Sequence, residues 1–152
     1  HFDGKTDGKK IAIIGDVRTS RVAGSNRKLL PRFGIDVSFI SPECFRYEGN
    51  DFKTYIKISD VIDELDFIMS LRTQLERHSE VYFESLNEYA KDYCITHEIL
   101  EDRNILLLHP GPVNRNVDIS DDMLEDPRSK VLEQVTNGVA IRAAVLKKLV
   151  LG

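Results

Sequence analysis

The 152 residues include only two cysteines. Cys44 and Cys94 stand fifty positions apart, with no CxxC pair and no histidine at ligand spacing, which removes a disulfide framework and a structural zinc site from consideration. No metal or cofactor is expected. No apolar run approaches the roughly 18 residues that a spanning helix needs, and the opening stretch HFDGKTDGKK has no apolar signal-peptide core. The expectation is a cytoplasmic chain without membrane contact. Positive charge is not in excess either. Lys plus Arg number 21 against 25 Asp plus Glu, a formal charge of -4, so no global positive field holds nucleic acid and any anion must be bound locally. Several catalytic signatures are also missing. The first predicted βα turn lacks the second and third glycines of GxGxxG, and there is no GxxxxGK[ST] and no GxSxG, so nicotinamide, ATP and serine-hydrolase chemistries lose their support. Neither cysteine has a nucleophile's setting. No repeat or low-complexity tract interrupts the chain.

What is present is the balance of a folded globular unit, 41% hydrophobic and 30% charged, at a length that fits one domain, residues 1–152. KKIAIIGD, residues 9–16, is a short apolar run stopped by Gly15, the pattern of a strand buried on both faces of a parallel sheet. Val22, Leu29, Leu30 and Phe33 then recur at helical spacing, with Pro31 distorting the last turn and Gly34 ending it. IDVSFISP (35–42), FIMSL (67–71) and ILLLHP (105–110) repeat the strand signature. Residues 43–53 read as a polar surface loop. Ser59 is placed to cap a short helix through Ile62 and Leu65, residues 79–93 read as a helix, and Thr96 starts another through Leu100. The segment 128–151 reads as a long helix interrupted at Asn137 and Gly138. Its stripe, Val131, Val135, Val139, Ala143, Leu146, Leu149 and Val150, either covers its own sheet or docks on something outside the chain. The alternation predicts an α/β fold, an open, mostly parallel sheet with helices on both faces.

In such sheets ligands bind beyond the carboxyl ends of the strands. Three segments end there, GDVRTSR (15–21), LRTQLERH (71–78) and HPGPVNR (109–115), and each carries arginine: Arg18 and Arg21, Arg72 and Arg77, then Arg115. The guanidinium fork matches a carboxylate or phosphate, and two forks from separate loops suit a dicarboxylate. Gln74 adds an amide donor two positions beyond Arg72. In Pro110-Gly111-Pro112 the prolines remove donors and stiffen the chain, leaving directed carbonyl acceptors for a ligand N–H. Each of these arginines taken singly pairs more readily with Glu76, Asp16 or another surface acid; only their shared placement favours a site. His78, His97 and His109 fall on different predicted elements and read as structural.

In the same three segments the chain resembles the aspartate-binding, C-terminal half of aspartate carbamoyltransferases. KIAIIGDVRTSRVAGSN resembles that family's second-domain opening strand and turn, LRTQLERH its LRxQxER motif, HPGPVNRNVDI its HPxPxxR motif, and NGVAIRAAVLKKLV its closing helix. Pro110 after His109, where ornithine-specific relatives carry cysteine, favours aspartate. Gly24 and Asp118 depart mildly from the family pattern, which commonly has Arg and Glu there. The resemblance implies a Rossmann-like three-layer fold in which Arg21 binds the α-carboxylate of L-aspartate. Arg72 and Gln74 would then bind its side-chain carboxylate, and the backbone at Pro110, Gly111 and Pro112 would contact carbamoyl phosphate and the attacking amine. It further implies transfer of the carbamoyl group to aspartate, giving N-carbamoyl-L-aspartate and phosphate in pyrimidine biosynthesis. A carbamoyl phosphate-binding domain would precede residue 1, with HFDGKTDGKK as the tail of a linker helix. Full-length chains would form homotrimers, the closing helix would pack on the first domain, and the isolated half would be inactive. The competing reading is a non-catalytic α/β module binding a small dicarboxylate or phosphate.

Overall fold

The structure, a computed structural model, describes residues 4–74 and 82–152. Five strands form one sheet: β1 (Lys10–Ile14), β2 (Asp36–Ile40), β3 (Lys53–Tyr55), β4 (Phe67–Ser70) and β5 (Leu106–Leu108), in the spatial order β3-β2-β1-β4-β5. Every pairing is parallel, with Ile13 opposite both Phe39 and Met69. A parallel sheet needs cover on both faces, which is why Ile11–Ile14 of β1 and Leu106–Leu108 of β5 read as unbroken apolar runs. Ile11, Ile13, Phe39 and Met69 form one core with Ala23 of helix α1 (Arg21–Leu29). Ala12, Ile14, Ile40, Ile68 and Leu107 form the other, with Tyr89 and Tyr93 of α2 (Leu86–Tyr93), Leu100 of α3 (His97–Leu100) and Met123 of α4 (Asp121–Glu125). The three layers match the expected class. β1 connects through α1 to β2 on one side, while β4 connects through α2 and α3 to β5 on the other. The strand order therefore reverses between β1 and β4, and the loops leaving these neighbours open a crevice.

Four local expectations change. The loop read over 43–53 ends in an edge strand, β3, whose three residues Lys53, Thr54 and Tyr55 carry no apolar run. None of the three is fully buried, so no apolar pattern marks the strand. Ser59 caps nothing; it lies inside one of two short 3-10 turns, Ile58–Asp60 and Ile62–Glu64. In place of a helix over 79–93, α2 begins at Leu86, because Ser85 accepts the Glu88 N–H and fixes the N-terminus there; Val81 lies outside the described residues. The closing helix α5 (Val131–Leu151) is continuous through Asn137 and Gly138. One glycine costs about 1 kcal/mol in a helix interior, too little to break 21 residues. Pro31 does tighten the end of α1 into a 3-10 turn, Leu30–Phe33, as expected. Of the α5 stripe only Val131 is buried; Val139, Leu146 and Leu149 are 59%, 62% and 77% exposed, so this face does not cover the sheet.

The turn leading into α5 is clasped by Arg128. Its guanidinium donates to Asp126 at 2.8 and 2.9 Å and to the carbonyls of Glu101 and Arg103 at 2.6 and 2.9 Å. The hydrogen bonds from Arg128 hold the Asp126 carboxyl well below its usual range, at about 2. A depressed carboxyl contributes stability that is complete above its unfolded value near 4 and is lost as pH falls through about 2. Asp126→Asn is therefore expected to lower Tm at pH 7 by about 3 to 6 °C, from on the order of 1 to 2 kcal/mol after allowance for solvent screening. Melting curves of both proteins from pH 7 to 2 check this; the difference should close between about pH 4 and 2, and a gap that stays constant into acid contradicts it.

Candidate functional site

The site is built from the loops that follow β1, β4 and β5. After β1 the chain turns at Gly15, whose φ of +125° and close approach exclude a side chain: a Cβ there would lie 3.2 Å from the Leu71 Cβ. This lets the first and fourth loops lie against one another. Asp16 then accepts the Thr19 N–H at 3.0 Å and also the Thr19 hydroxyl, closing a compact turn. Ser20 accepts the Ala23 N–H at 3.2 Å and caps α1, so that Arg21 stands on the first residue of a helix rather than on a free loop.

These loops enclose a cavity of about 310 Å³ lined by Asp16, Thr19, Ser20, Arg21, Val22, Leu71, Arg72, Gln74 and Pro110–Pro112. All six residues singled out in the sequence, Arg21, Arg72, Gln74, Pro110, Gly111 and Pro112, thus meet at one hollow. Arg21 and Arg72 are exposed, and among the described residues neither is paired with a carboxylate. The other arginines do not join them. Arg18 hydrogen-bonds Tyr82 and lines a separate hollow with Arg46 and Glu48, and Arg115 is taken up by Asp121 at 2.5 Å. Glu76, Arg77 and His78 lie outside the described residues.

The cradle at 110–112 has no spare donor. Pro110 and Pro112 lack an N–H, and the N–H of Gly111, whose φ is +67°, donates to His109 Nδ1 at 2.9 Å. Two arginines and a segment with no free N–H thus line one cavity, which suits a ligand carrying both anionic groups and N–H.

The sequence marked His109 as structural and Asp118 as a mild departure from the family pattern, but did not link the two groups that hold this wall of the cavity. His109 is fully buried, and so is Asp118 at 1% exposure. Asp118 Oδ2 lies 3.2 Å from His109 Nε2 and accepts the Asn114 N–H at 2.9 Å, while Oδ1 accepts the Thr73 N–H at 3.0 Å. The Asn114 side chain donates to the Thr73 carbonyl at 2.7 Å, and the His109 N–H donates to Gln134 of α5 at 3.0 Å. The available signal was a histidine ending the fully apolar strand ILLLH; the nine-residue separation from Asp118 gave no hint of contact. Beneath the site Tyr89 is raised well above its ordinary value by burial, as is Cys94, to about 11, so neither offers a nucleophile.

Fold and cavity together define an open α/β domain with an arginine-lined cavity at its topological switch point. The sequence model of the family described as "Aspartate/ornithine carbamoyltransferase, Asp/Orn binding domain" matches residues 7–149, and the chain belongs to this family. The aspartate carbamoyltransferase catalytic subunit of Aliarcobacter butzleri is 71% identical over 151 residues, which are 99% of this chain and 51% of that protein. Among solved structures, the catalytic subunit of M. jannaschii aspartate transcarbamoylase matches with a TM-score of 0.81 at 29% identity, covering 97% of this chain and 51% of the other. The Trypanosoma cruzi aspartate transcarbamoylase in complex with carbamoyl phosphate matches with a TM-score of 0.80 at 26% identity, covering 94% and 50%. The chain spans about half the length of the curated relatives it matches. Among the described residues no helix is long and apolar enough to cross a membrane.

Proposed function

We propose that this chain is the aspartate-binding half of a cytoplasmic carbamoyltransferase that makes N-carbamoyl-L-aspartate for pyrimidine biosynthesis. Arg21 holds the α-carboxylate of L-aspartate, and Arg72 with Gln74 holds the side-chain carboxylate. The carbonyls of residues 110–112 accept N–H groups from the amine and from carbamoyl phosphate. The amine nitrogen attacks the carbonyl carbon of carbamoyl phosphate, the bond from that carbon to the phosphate oxygen breaks, phosphate leaves, and the nitrogen loses its proton. What supports the reading is that two guanidinium groups and an acceptor-only segment, from three separate loops, line one cavity of about 310 Å³.

Rate enhancement in such a reaction comes from holding two substrates at reacting distance and from stabilising charge on the carbonyl oxygen and the leaving phosphate. This chain supplies the aspartate side of that arrangement. A preceding carbamoyl phosphate-binding domain supplies the other, and the exposed Val139, Leu146 and Leu149 of α5 pack on it in homotrimers of full-length chains. The chain alone is expected to bind L-aspartate weakly, because a shared site loses contacts and preorganisation when one side is missing, and to release no phosphate above background with both substrates. Titration of the isotope-labelled chain with L-aspartate checks the first point, with shifts expected at Arg21, Arg72 and Gly111. An unchanged spectrum at high concentration removes the aspartate assignment.

A further inference from the structure

We propose that His109 is a positioning residue: by occupying the single N–H of the Pro110–Pro112 segment it makes that wall a set of acceptors only, and through Asp118 it locks the wall against the loop that carries Arg72 and Gln74. The inference rests on the aspartate reading for its ligand and on geometry for its mechanics.

The partners of the ring assign its tautomer. Nδ1 faces a backbone N–H, that of Gly111 at 2.9 Å, and a donor can meet only an unprotonated nitrogen. The proton therefore sits on Nε2, which faces the Asp118 carboxylate at 3.2 Å. The ring bridges a backbone donor on one side and a buried acceptor on the other, and the backbone N–H of His109 donates to the Gln134 side chain.

Asp118 extends the bridge to the next loop. Its other oxygen accepts the N–H of Thr73, and Asn114, whose own N–H is bound by the same carboxylate, donates to the carbonyl of Thr73. Both backbone polar groups of Thr73 are thus tied to the loop after β5. Thr73 stands between Arg72 and Gln74, so the two neighbours that line the cavity are carried on a residue fixed relative to Gly111. With Thr73, His109 and Asp118 all buried, these hydrogen bonds have no water to compete with and hold their geometry firmly.

The functional consequence is selectivity for the amine. A free Gly111 N–H would set a donor beside the N–H groups of aspartate and cancel part of the attraction of the carbonyls. A dicarboxylate without an amine, such as succinate, would feel this far less. Two variants separate the roles of the ring nitrogens. In His109→Asn the side-chain oxygen falls near the place of Nδ1 and still accepts from Gly111; in His109→Gln the side-chain nitrogen falls near Nε2 and still reaches Asp118, while Gly111 is released.

The test measures L-aspartate and succinate affinities by NMR titration of this chain, together with amide exchange at Gly111 and the ring nitrogen shifts of His109. The expected result is a protonated Nε2 and a protected Gly111 amide in the wild type. The ratio of aspartate to succinate affinity should fall about five- to tenfold in His109→Gln and stay within about twofold in His109→Asn. A wild-type ring protonated on Nδ1, a Gly111 amide exchanging like an open one, or equal ratios in the two variants overturns the proposal. If the wild type binds neither ligand, it is the aspartate reading that fails; ring and exchange measurements need no ligand and still decide whether His109 holds the wall. They also decide the matter should a variant fail to fold.

Discussion

Arg72→Met is expected to weaken L-aspartate binding at least about 30-fold, with succinate weakened to a similar degree and Tm unchanged within about 1 °C. Truncating one partner of a charge-assisted pair in a site costs on the order of 2 to 5 kcal/mol, and 1.4 kcal/mol is a factor of ten. The side chain is exposed and, among the described residues, carries no ion pair, so its removal disturbs no packing. Equal losses for aspartate and succinate distinguish this variant from His109→Gln, where only the amine-bearing ligand should suffer. In a full-length catalytic chain the same substitution should lower kcat/KM for aspartate by at least the same factor. Calorimetry on the chain and steady-state kinetics on the longer protein are the checks; aspartate affinity within threefold of wild type means that Arg72 does not hold the carboxylate.

Gly15→Ala is expected to lower Tm by about 5 to 15 °C and to weaken aspartate binding as well. The backbone at Gly15 has a φ of +125°, which L side chains rarely adopt, and the added carbon would meet the Leu71 Cβ at 3.2 Å and the Tyr89 hydroxyl at 3.4 Å. Strain of about 1 to 3 kcal/mol from the backbone and a similar amount from overpacking give a total on the order of 2 to 6 kcal/mol, at about 2.5 °C per kcal/mol for a chain of this size. Because the neighbour that must give way immediately precedes Arg72, the damage reaches the cavity. Thermal melts and an aspartate titration of the same preparation test this; a Tm within about 1 °C of wild type would show that the turn tolerates a side chain.

Not every part of this arrangement was equally legible along the chain. Strands β1, β2, β4 and β5 announce themselves because a parallel strand covered on both faces is mostly apolar, as Ile11 to Ile14 and Leu106 to Leu108 are throughout and β2 and β4 are apart from Asp36, Ser38 and Ser70. β3 is silent because none of Lys53, Thr54 and Tyr55 is fully buried, so the strand leaves no apolar pattern. The continuity of α5 was misread because Asn137 and Gly138 weaken a helix locally, whereas a long helix absorbs one weak point.

The candidate site divides in the same way. Arginines at strand ends, an amide two positions on and a glycine between prolines are local chemistry, which brought Arg18, Arg21, Arg72, Arg77, Arg115, Gln74 and residues 110–112 into view; the order of three motifs pointed to the family, and that resemblance singled out Arg21 and Arg72. Only the tertiary structure decided which arginines share a cavity. Arg18 and Arg115 satisfy the same local rule but are drawn off to Tyr82 and Asp121. Only the structure, too, brought His109, Asp118 and Thr73 together. Thr73 and Asp118 lie 45 positions apart, and hydrogen bonds between buried groups from different loops are set by how the strands stack, a spacing no local pattern records.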